Sequence, residues 1–344
     1  MRYFLSIIIL LSSSGLFPVP GDLIWKHENK RGFCTYPCVS DGVVYIGSRD
    51  NYLYAITCSD GASKWRCETG ARLFSTPCIS NGVVYSGSND KCLYAINSSN
   101  GIIKWKYCTG GEVQSPSVSD DIVYVGSCDH FLYAISCSDG KLKWSFKTGS
   151  FIYSSLCVSE GVVFARSNDN YLYAINCKDG TLKWRFWIGD SVVSSPCVSN
   201  GVLYIGGYGQ VYAINTSDGS IKWITGMSTA IILSPCISEG VIYVGSEDSL
   251  NALNSSNGAR KWSYKVYINP YSYYPCVSDG VVYTGSREKY LYAVNCLDGT
   301  LKWKFLTDQN FVSSPCVSEG IVFVISGKYL YAISTYSYKD NYEK

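Results

Sequence analysis

The chain has 344 residues, with 29 Lys and Arg against 27 Asp and Glu, and it contains 16 Cys and 30 Tyr. A formal charge of +2 without a run of basic residues predicts no nucleic-acid partner, because such binding needs a clustered basic surface. Length alone does not fix the number of domains, since repeat folds depart from the usual domain size.

The N-terminus predicts a signal peptide over residues 1–15. Arg2 is followed by an apolar run at 3–11 and by small residues at 12–15. This order is that of an export signal, and the run is shorter than the about 20 residues of a spanning helix. We therefore expect an exported protein, periplasmic or at the cell surface, without a membrane span. No Cys precedes Cys34, so a lipid anchor has no attachment residue there.

A repeat of 39 to 41 residues follows, marked by regularly spaced tryptophans. In the first copy we predict four strands, A to D, at residues 36–40, 43–47, 52–57 and 63–67. Asp-Gly pairs lie between A and B and between C and D, where a tight hairpin needs residues that tolerate positive φ. Four short antiparallel strands at this period are typical of one blade of a β-propeller.

Eight copies of the A strand are present. They are marked by Pro37, Pro77, Pro116, Leu156, Pro196, Pro235, Pro275 and Pro315. The repeat region opens on a D strand and ends after a C strand, so the two ends are complementary. We predict an all-β fold, an eight-bladed β-propeller of four-stranded antiparallel blades over residues 22–334, closed by the N-terminal strand that completes the last blade. Residues 335–344 form a polar tail. A solenoid, the alternative, would need distinct polar caps.

The end of each repeat resembles the tryptophan-docking motif of pyrroloquinoline-quinone-type propellers: Ala, any residue, Asp, any two, Thr-Gly, any three, Trp. The copy at 174–184 keeps Ala174, Gly180 and Trp184 at this spacing, with Asn176 for the Asp and Asp179 for the Thr. The resemblance relates the chain in fold to quinoprotein dehydrogenase propellers and to the propeller lipoprotein of the outer-membrane assembly machinery. It implies that these tryptophans dock between neighbouring blades: Trp25, Trp65, Trp105, Trp144, Trp184, Trp223, Trp262 and Trp303.

The resembled enzymes bind pyrroloquinoline quinone and Ca²⁺ on the propeller axis, commonly beneath a vicinal disulfide. No two cysteines are adjacent here, and the even repeat spacing leaves no inserted loops. His27 and His130 are too far apart in the repeat for a zinc site to be expected. We therefore expect no catalytic residue, no metal site and no cofactor. Pyrroloquinoline quinone with calcium, in a quinone-dependent dehydrogenase, is the alternative.

Most cysteines occupy two repeated positions. Seven share a place in strand A, namely Cys38, Cys78, Cys157, Cys197, Cys236, Cys276 and Cys316, and four follow strand C, namely Cys58, Cys137, Cys177 and Cys296. Strands A and C lie about 9.6 Å apart, beyond the usual Cα limit of about 6.8 Å for a disulfide. We expect small buried thiols, mostly free. Cys92 and Cys108 differ, because they lie opposite each other across a C–D hairpin and predict a disulfide.

The loops between blades predict where a partner binds. The A–B and C–D turns are nearly uniform and form what we call the turn face, whereas the D–A and B–C loops diverge and form the variable face. Loops carry specificity on a common scaffold. The predicted binding residues are Arg31, Phe33, Arg72, Phe74, Glu112, Gln114, Phe151, Tyr153, Asp190, Tyr271, Tyr273 and Phe311. Exposed aromatics with arginine suit a protein or glycan partner. Alternatively, these apolar side chains plug the central channel.

The sequence thus predicts a monomeric, non-enzymatic extracytoplasmic scaffold that mediates protein interactions. A carbohydrate-binding surface protein is the remaining alternative besides the quinone-dependent dehydrogenase.

Overall fold

The computed structural model describes residues 19–189, 194–231, 233–268, 274–310 and 312–335. All their regular structure is β-strand, arranged as eight four-stranded antiparallel sheets. The strands of blades 1 to 4 are β2 (Cys38–Ser40), β3 (Val43–Gly47), β4 (Tyr52–Thr57), β5 (Ser63–Glu68), β6 (Cys78–Ser80), β7 (Val83–Gly87), β8 (Cys92–Asn97), β9 (Ile103–Cys108), β10 (Ser117–Ser119), β11 (Ile122–Gly126), β12 (Phe131–Ser136), β13 (Leu142–Lys147), β14 (Cys157–Ser159), β15 (Val162–Arg166), β16 (Tyr171–Asn176) and β17 (Leu182–Trp187).

The strands of blades 5 to 7 are β18 (Cys197–Ser199), β19 (Val202–Gly206), β20 (Tyr208–Asn215), β21 (Ile221–Ile231), β22 (Cys236–Ser238), β23 (Val241–Gly245), β24 (Ser249–Asn254), β25 (Arg260–Lys265), β26 (Cys276–Ser278), β27 (Val281–Gly285), β28 (Tyr290–Asn295) and β29 (Leu301–Leu306). Blade 8 combines β30 (Cys316–Ser318), β31 (Ile321–Ser326) and β32 (Tyr329–Ser334) with β1 (Leu23–Glu28).

The predicted eight-bladed propeller and its closure are confirmed. Consecutive first strands contact one another around the ring, and β30 contacts β2. The N-terminal β1 pairs with β32, placing Trp25 opposite Ala332. The first blade has its B and C strands where the sequence predicts them. Its A strand begins later, at Cys38, because Pro37 has no N–H to donate to a strand ladder.

The blades are built by tight A–B turns and fully packed middle strands. Asp41 and Gly42 have φ of 50° and 67°, the paired positive values of a two-residue hairpin turn. Every residue of β3 is buried, whereas β5 alternates towards solvent. Each middle strand is covered on both faces by neighbouring blades, so its residues are almost all apolar.

The repeated tryptophans contact the following blade. The indole N–H of Trp25 donates to the carbonyl of Cys58 at 2.7 Å, and that of Trp65 donates to Ser98 at 2.9 Å. The Trp25 ring lies on Gly61, where an added Cβ would come within 2.7 Å of it. Equivalent bonds join Trp105 to Cys137, Trp144 to Cys177, Trp184 to Thr216, Trp223 to Ser255 and Trp262 to Cys296. Only glycine leaves room for the ring.

The structure has a disulfide between Cys92 and Cys108, whose Cα atoms lie 4.0 Å apart on β8 and β9. The other 14 cysteines are free thiols. Burial raises the pKa of Cys38 to about 12, partly offset by the backbone N–H of Ile79 in the next blade. Burial likewise raises the pKa of Cys157 to about 11. These strand-A thiols are therefore protonated at neutral pH and lie between the innermost strands.

Candidate functional site

The predicted binding residues lie in different structural environments. Arg31, Arg72 and Phe74 are exposed on the loops that enter blades 1 and 2. The following predicted residues lie outside the described residues: Asp190, Tyr271, Tyr273 and Phe311. The predicted signal peptide lies outside them too.

The expected exposure of Phe33 is wrong. Its side chain is only 4% exposed and packs edge-on against Tyr54, with ring centroids 5.9 Å apart. Phe33 pairs with Ser48 in an isolated β-bridge. This pairing places the Phe33 ring between blades 8 and 1. Phe33 therefore belongs to the core and leaves the candidate binding surface.

Four predicted residues come together between blades 3 and 4. We call this group, with two residues that sequence reasoning missed, the aromatic cluster: Glu112, Gln114, Cys128, His130, Phe151 and Tyr153. Phe151 contacts Tyr153, with ring centroids 5.7 Å apart, and His130 packs edge-on against Phe151 at 4.9 Å. Phe151 is 38% exposed and Tyr153 46%. The rings form an apolar patch at the surface of the variable face.

The polar half of the aromatic cluster is centred on Cys128. The Gln114 amide lies 3.4 Å from the Cys128 sulfur, and the Tyr153 hydroxyl is also hydrogen-bonded to that sulfur. The pKa of Tyr153 is raised mainly by this bond and secondly by burial. The pKa of Cys128 is raised mainly by burial. The negative charge of Glu112 raises both pKa values further. At neutral pH the thiol and the phenol are thus neutral, and the carboxylates of Glu112 and Asp129 both lie near the thiol.

The central channel is bordered by a ring of hydroxyl groups at the residue before each strand-A proline position. A backbone N–H of one blade donates to the hydroxyl of the next, as from Thr76 to Ser115 at 3.0 Å. The bonds run from Tyr36 to Thr76, from Thr76 to Ser115, from Ser155 to Ser195, from Ser195 to Ser234 and from Tyr274 to Ser314. This ring links the blades near the variable face.

Tyr274 crosses the channel. Its hydroxyl donates to Ser155, 3.1 Å away, and is also hydrogen-bonded to Ser195. These serines belong to blades 4 and 5, whereas Tyr274 enters blade 7. Tyr36 packs edge-on against it, with ring centroids 5.7 Å apart. The channel is therefore obstructed by two tyrosines, neither of which is among the predicted channel-plugging residues.

A cavity of about 470 Å³ lies beside these tyrosines on the axis. Its lining comprises Tyr36, Pro37, Thr76, Pro77, Ser115, Pro116, Ser155, Tyr274, Cys276, Val277, Ser314, Pro315, Cys316 and Val317. None of these described residues carries a carboxylate or a fixed cation. Pyrroloquinoline quinone carries carboxylates and is held with Ca²⁺, a cation that prefers oxygen anions as ligands. The described lining therefore does not fit that cofactor.

The sequence contains signals for the residues that were missed. Tyr36 and Tyr274 stand where six other repeats have Ser or Thr. Cys128 and His130 flank Asp129 in the B–C loop of blade 3, where blade 1 has Arg49 and Asn51. Each of these residues differs from the residues at the same position in other repeats, so an alignment of the repeats identifies it. Its contacts are visible only in the structure.

Two further findings limit the kinds of site. Within the described ranges, no group of three or more His, Cys, Asp or Glu side chains is placed to hold a metal ion. None of the described segments forms a helix long and apolar enough to cross a membrane.

These observations define the class: an eight-bladed propeller of pyrroloquinoline-quinone-type repeats with an aromatic cluster on its variable face. The family model described as outer membrane protein assembly factor BamB matches residues 17–118, 108–190, 186–272 and 269–341. Because these matches span almost the whole sequence, the chain belongs to the BamB family. No protein of curated function matches it by sequence.

Solved structures share the fold. BamB from Moraxella catarrhalis superposes with a TM-score of 0.77 at 14% identity, covering 91% of this chain and 99% of that one. The computationally designed Ika8 protein gives 0.79 at 12% identity, covering 89% and 97%. The quinohemoprotein alcohol dehydrogenase from Comamonas testosteroni gives 0.75 at 12% identity, covering 91% and 76%. At these identities the likeness concerns the fold alone.

Proposed function

We propose that this chain is a non-enzymatic, extracytoplasmic recognition propeller that binds a protein partner through the aromatic cluster. The observation that carries the proposal is the pair of contacting, exposed rings of Phe151 and Tyr153. Aromatic side chains that combine a large apolar area with polar neighbours are the usual anchors of protein interfaces. The family's description as an assembly factor supports the same role.

The chemistry of the cluster favours binding over catalysis. Its thiol has a raised pKa and so is a poor nucleophile at neutral pH. His130 packs against Phe151, and the carboxylate of the neighbouring Asp129 accepts from the Gly110 N–H and the Tyr133 hydroxyl. These groups suit hydrogen bonding to a peptide backbone and packing against apolar side chains. The scaffold role, the export of the chain and its monomeric state are parts of this proposal.

A quantitative capture experiment tests it. Wild type, a Phe151→Ala/Tyr153→Ala double variant and a Leu297→Ala control are immobilised, and envelope proteins of the source organism are passed over each. Leu297 is 80% exposed but lies in a C–D turn, on the turn face. We expect a specific protein to be retained by wild type and control and reduced at least about tenfold by the double variant, because aromatic anchors contribute about 2 kcal/mol or more.

Equal retention by all three proteins would contradict the assignment of the surface. Loss of retention in the Leu297→Ala control alone would place the binding site on the turn face. Cell fractionation with an antibody against the chain tests its place outside the cytoplasm.

A carbohydrate partner is the second candidate. Gln114 and Glu112 provide hydrogen-bonding groups next to Phe151 and Tyr153, the combination of polar and stacking contacts that a sugar needs. A glycan array probed with the same three proteins distinguishes the two candidates. Glycan binding that disappears in the double variant and persists in Leu297→Ala would favour the carbohydrate.

A further inference from the structure

The outer edge of the propeller is basic, although the chain as a whole is almost neutral. The A strands contact one another around the channel and the D strands end each sheet, so the D strands form the circumference. In blades 1 to 7 these strands carry fourteen of the 29 Lys and Arg residues and a single acidic residue, Glu68. Acidic residues occupy six of the eight A–B turns instead, as at Asp41, Glu160 and Asp279. Folding therefore separates the two charges.

The basic residues are continuous over blades 1 to 4. We call the outward surface of β5, β9, β13 and β17 the basic belt; it carries eight cations, all of them exposed. Blade 5 ends the belt on one side, because its outer strand β21 has one cation, Lys222. Blade 8 ends it on the other side, where Lys26 is paired with Asp308 at 2.9 Å and Glu28 adds a negative charge.

Four lysines of blades 2 and 3 form the centre of the basic belt: Lys104, Lys106, Lys143 and Lys147. No ion pair among the described residues involves any of them. The C–D turn that leads into β9 carries Asn100, whereas the corresponding turn of blade 1 carries Asp60. The positive charge at this centre is therefore not neutralised by an ion pair within the described part of the chain.

Charges in this arrangement favour a polymeric anion. A polyanion carries condensed counterions, and each contact with a lysine releases some of them, which makes binding favourable at low salt. A small monovalent anion gains no such release. Because the belt follows four neighbouring blades, a flexible chain can contact all of them at once, whereas a flat membrane meets only part of a curved edge.

The side chains of the basic belt suit a polysaccharide better than a single-stranded nucleic acid. Six of its eight cations are lysines, point charges that bind anionic groups without the planar geometry that arginine imposes. Single-stranded nucleic acids need several aromatic faces for successive bases. Here Arg66 covers the Tyr52 ring at 4.6 Å, and Arg185 covers the Tyr171 ring at 4.8 Å. Trp187, 57% exposed, leaves one ring against which a sugar can pack.

We propose that the basic belt binds an acidic polysaccharide, a sugar chain with sulfate or carboxylate groups, along blades 1 to 4. The sulfates or carboxylates contact the exposed ammonium groups, and the four central lysines contribute most because cations border them on both sides. This surface lies on the circumference of the propeller and does not include the aromatic cluster. The inference therefore goes beyond the proposed function and does not depend on it.

The test measures binding of fluorescently labelled low-molecular-weight heparin to the full chain at neutral pH, between about 50 and about 200 mM NaCl. The belt variant replaces the four central lysines by Gln. A control variant removes the same charge from exposed lysines outside the D strands. Its substitutions are Lys30→Gln, Lys91→Gln, Lys141→Gln and Lys178→Gln.

We expect the belt variant to bind heparin at least about tenfold more weakly than wild type, with a salt dependence less steep by about 2–4 in the slope of log affinity against log salt. The control variant is expected to stay within about twofold of wild type, because its lysines lie away from the belt. Arg at the same four central positions conserves the charge and is expected to keep the affinity, which separates loss of charge from damage to the fold.

The proposal is overturned if wild type does not bind heparin, if it binds uncharged dextran equally well, or if the belt and control variants lose affinity alike. Tighter binding of oligodeoxythymidine, or of phosphatidylcholine vesicles containing phosphatidylserine, would assign the belt to a nucleic acid or a membrane and overturn it too. The Phe151→Ala/Tyr153→Ala variant is expected to bind heparin like wild type. Failure of the proposed function and failure of this inference are therefore distinguishable.

Discussion

The strongest expectation concerns Trp25, which joins the last blade to the first. Its side chain is 2% exposed. Burying about 200 Å² of aromatic surface at about 25 cal/mol per Å² contributes about 5 kcal/mol, and the bond to the Cys58 carbonyl adds about 1 kcal/mol. Partial collapse of the space left behind reduces the loss, so we expect Trp25→Ala to cost about 4 kcal/mol.

Urea unfolding followed by far-ultraviolet circular dichroism measures this cost without depending on the fluorescence of the residue that is removed. Trp25→Phe, which keeps a ring but has no N–H, is expected to cost about 1–2 kcal/mol. Trp187→Ala is the matched control, since Trp187 does not belong to the series of regularly spaced tryptophans and is 57% exposed, and we expect a change below about 0.5 kcal/mol. Equal losses of unfolding free energy for Trp25→Ala and Trp187→Ala would refute the reasoning that the junction between blades 8 and 1 depends on the buried indole.

Three further outcomes are expected. Tyr274→Phe removes the cross-channel hydrogen bonds and should destabilise the fold by about 1–2 kcal/mol. Tyr208→Phe, at a residue that is 65% exposed, should change the stability little, and similar losses for the two variants in urea unfolding would argue against the cross-channel role. Peptide mapping without reductant should find Cys92 linked to Cys108, and free alkylation of both would contradict the bond. Burial raises the pKa of Cys38 to about 12 from 9.0, so the folded state holds this proton more tightly than the unfolded state. Its contribution is full below pH 9 and is lost as pH rises towards 12; a thermal midpoint that stays level across this range would contradict it.

The fold could be predicted because each blade repeats the same local rules. The Asp41-Gly42 turn, the apolar middle strands and the complementary ends are all visible in the sequence. The variable face was less accessible to such reasoning. The burial of Phe33 depends on a bridge to Ser48, which is a tertiary event. The position of Tyr274 depends on the width of the channel and on blades far away in the chain.

Departures from the repeat were more informative than the residues that looked reactive. The strand-A cysteines suggest chemistry by their number, yet burial keeps them protonated. Arg166, by contrast, stands at a position that is glycine in six blades and Ile325 in the eighth, and nothing in its immediate sequence marks it as unusual. Its burial, with 4% of the residue exposed, emerges only from the packing of blade 4.

The pairing of β1 with β32 also determines the face of the propeller at which it could be tethered. The Gly21 N–H donates to the Ser334 carbonyl, and the Ser334 N–H donates to the Asp22 carbonyl, both at 2.9 Å. Gly21, Asp22 and Ser334 lie at the turn face of blade 8, on the side of the propeller opposite to Phe151 and Tyr153. A tether or fusion attached at either end of the propeller would therefore orient it, with the aromatic cluster directed away from the point of attachment and accessible to a partner.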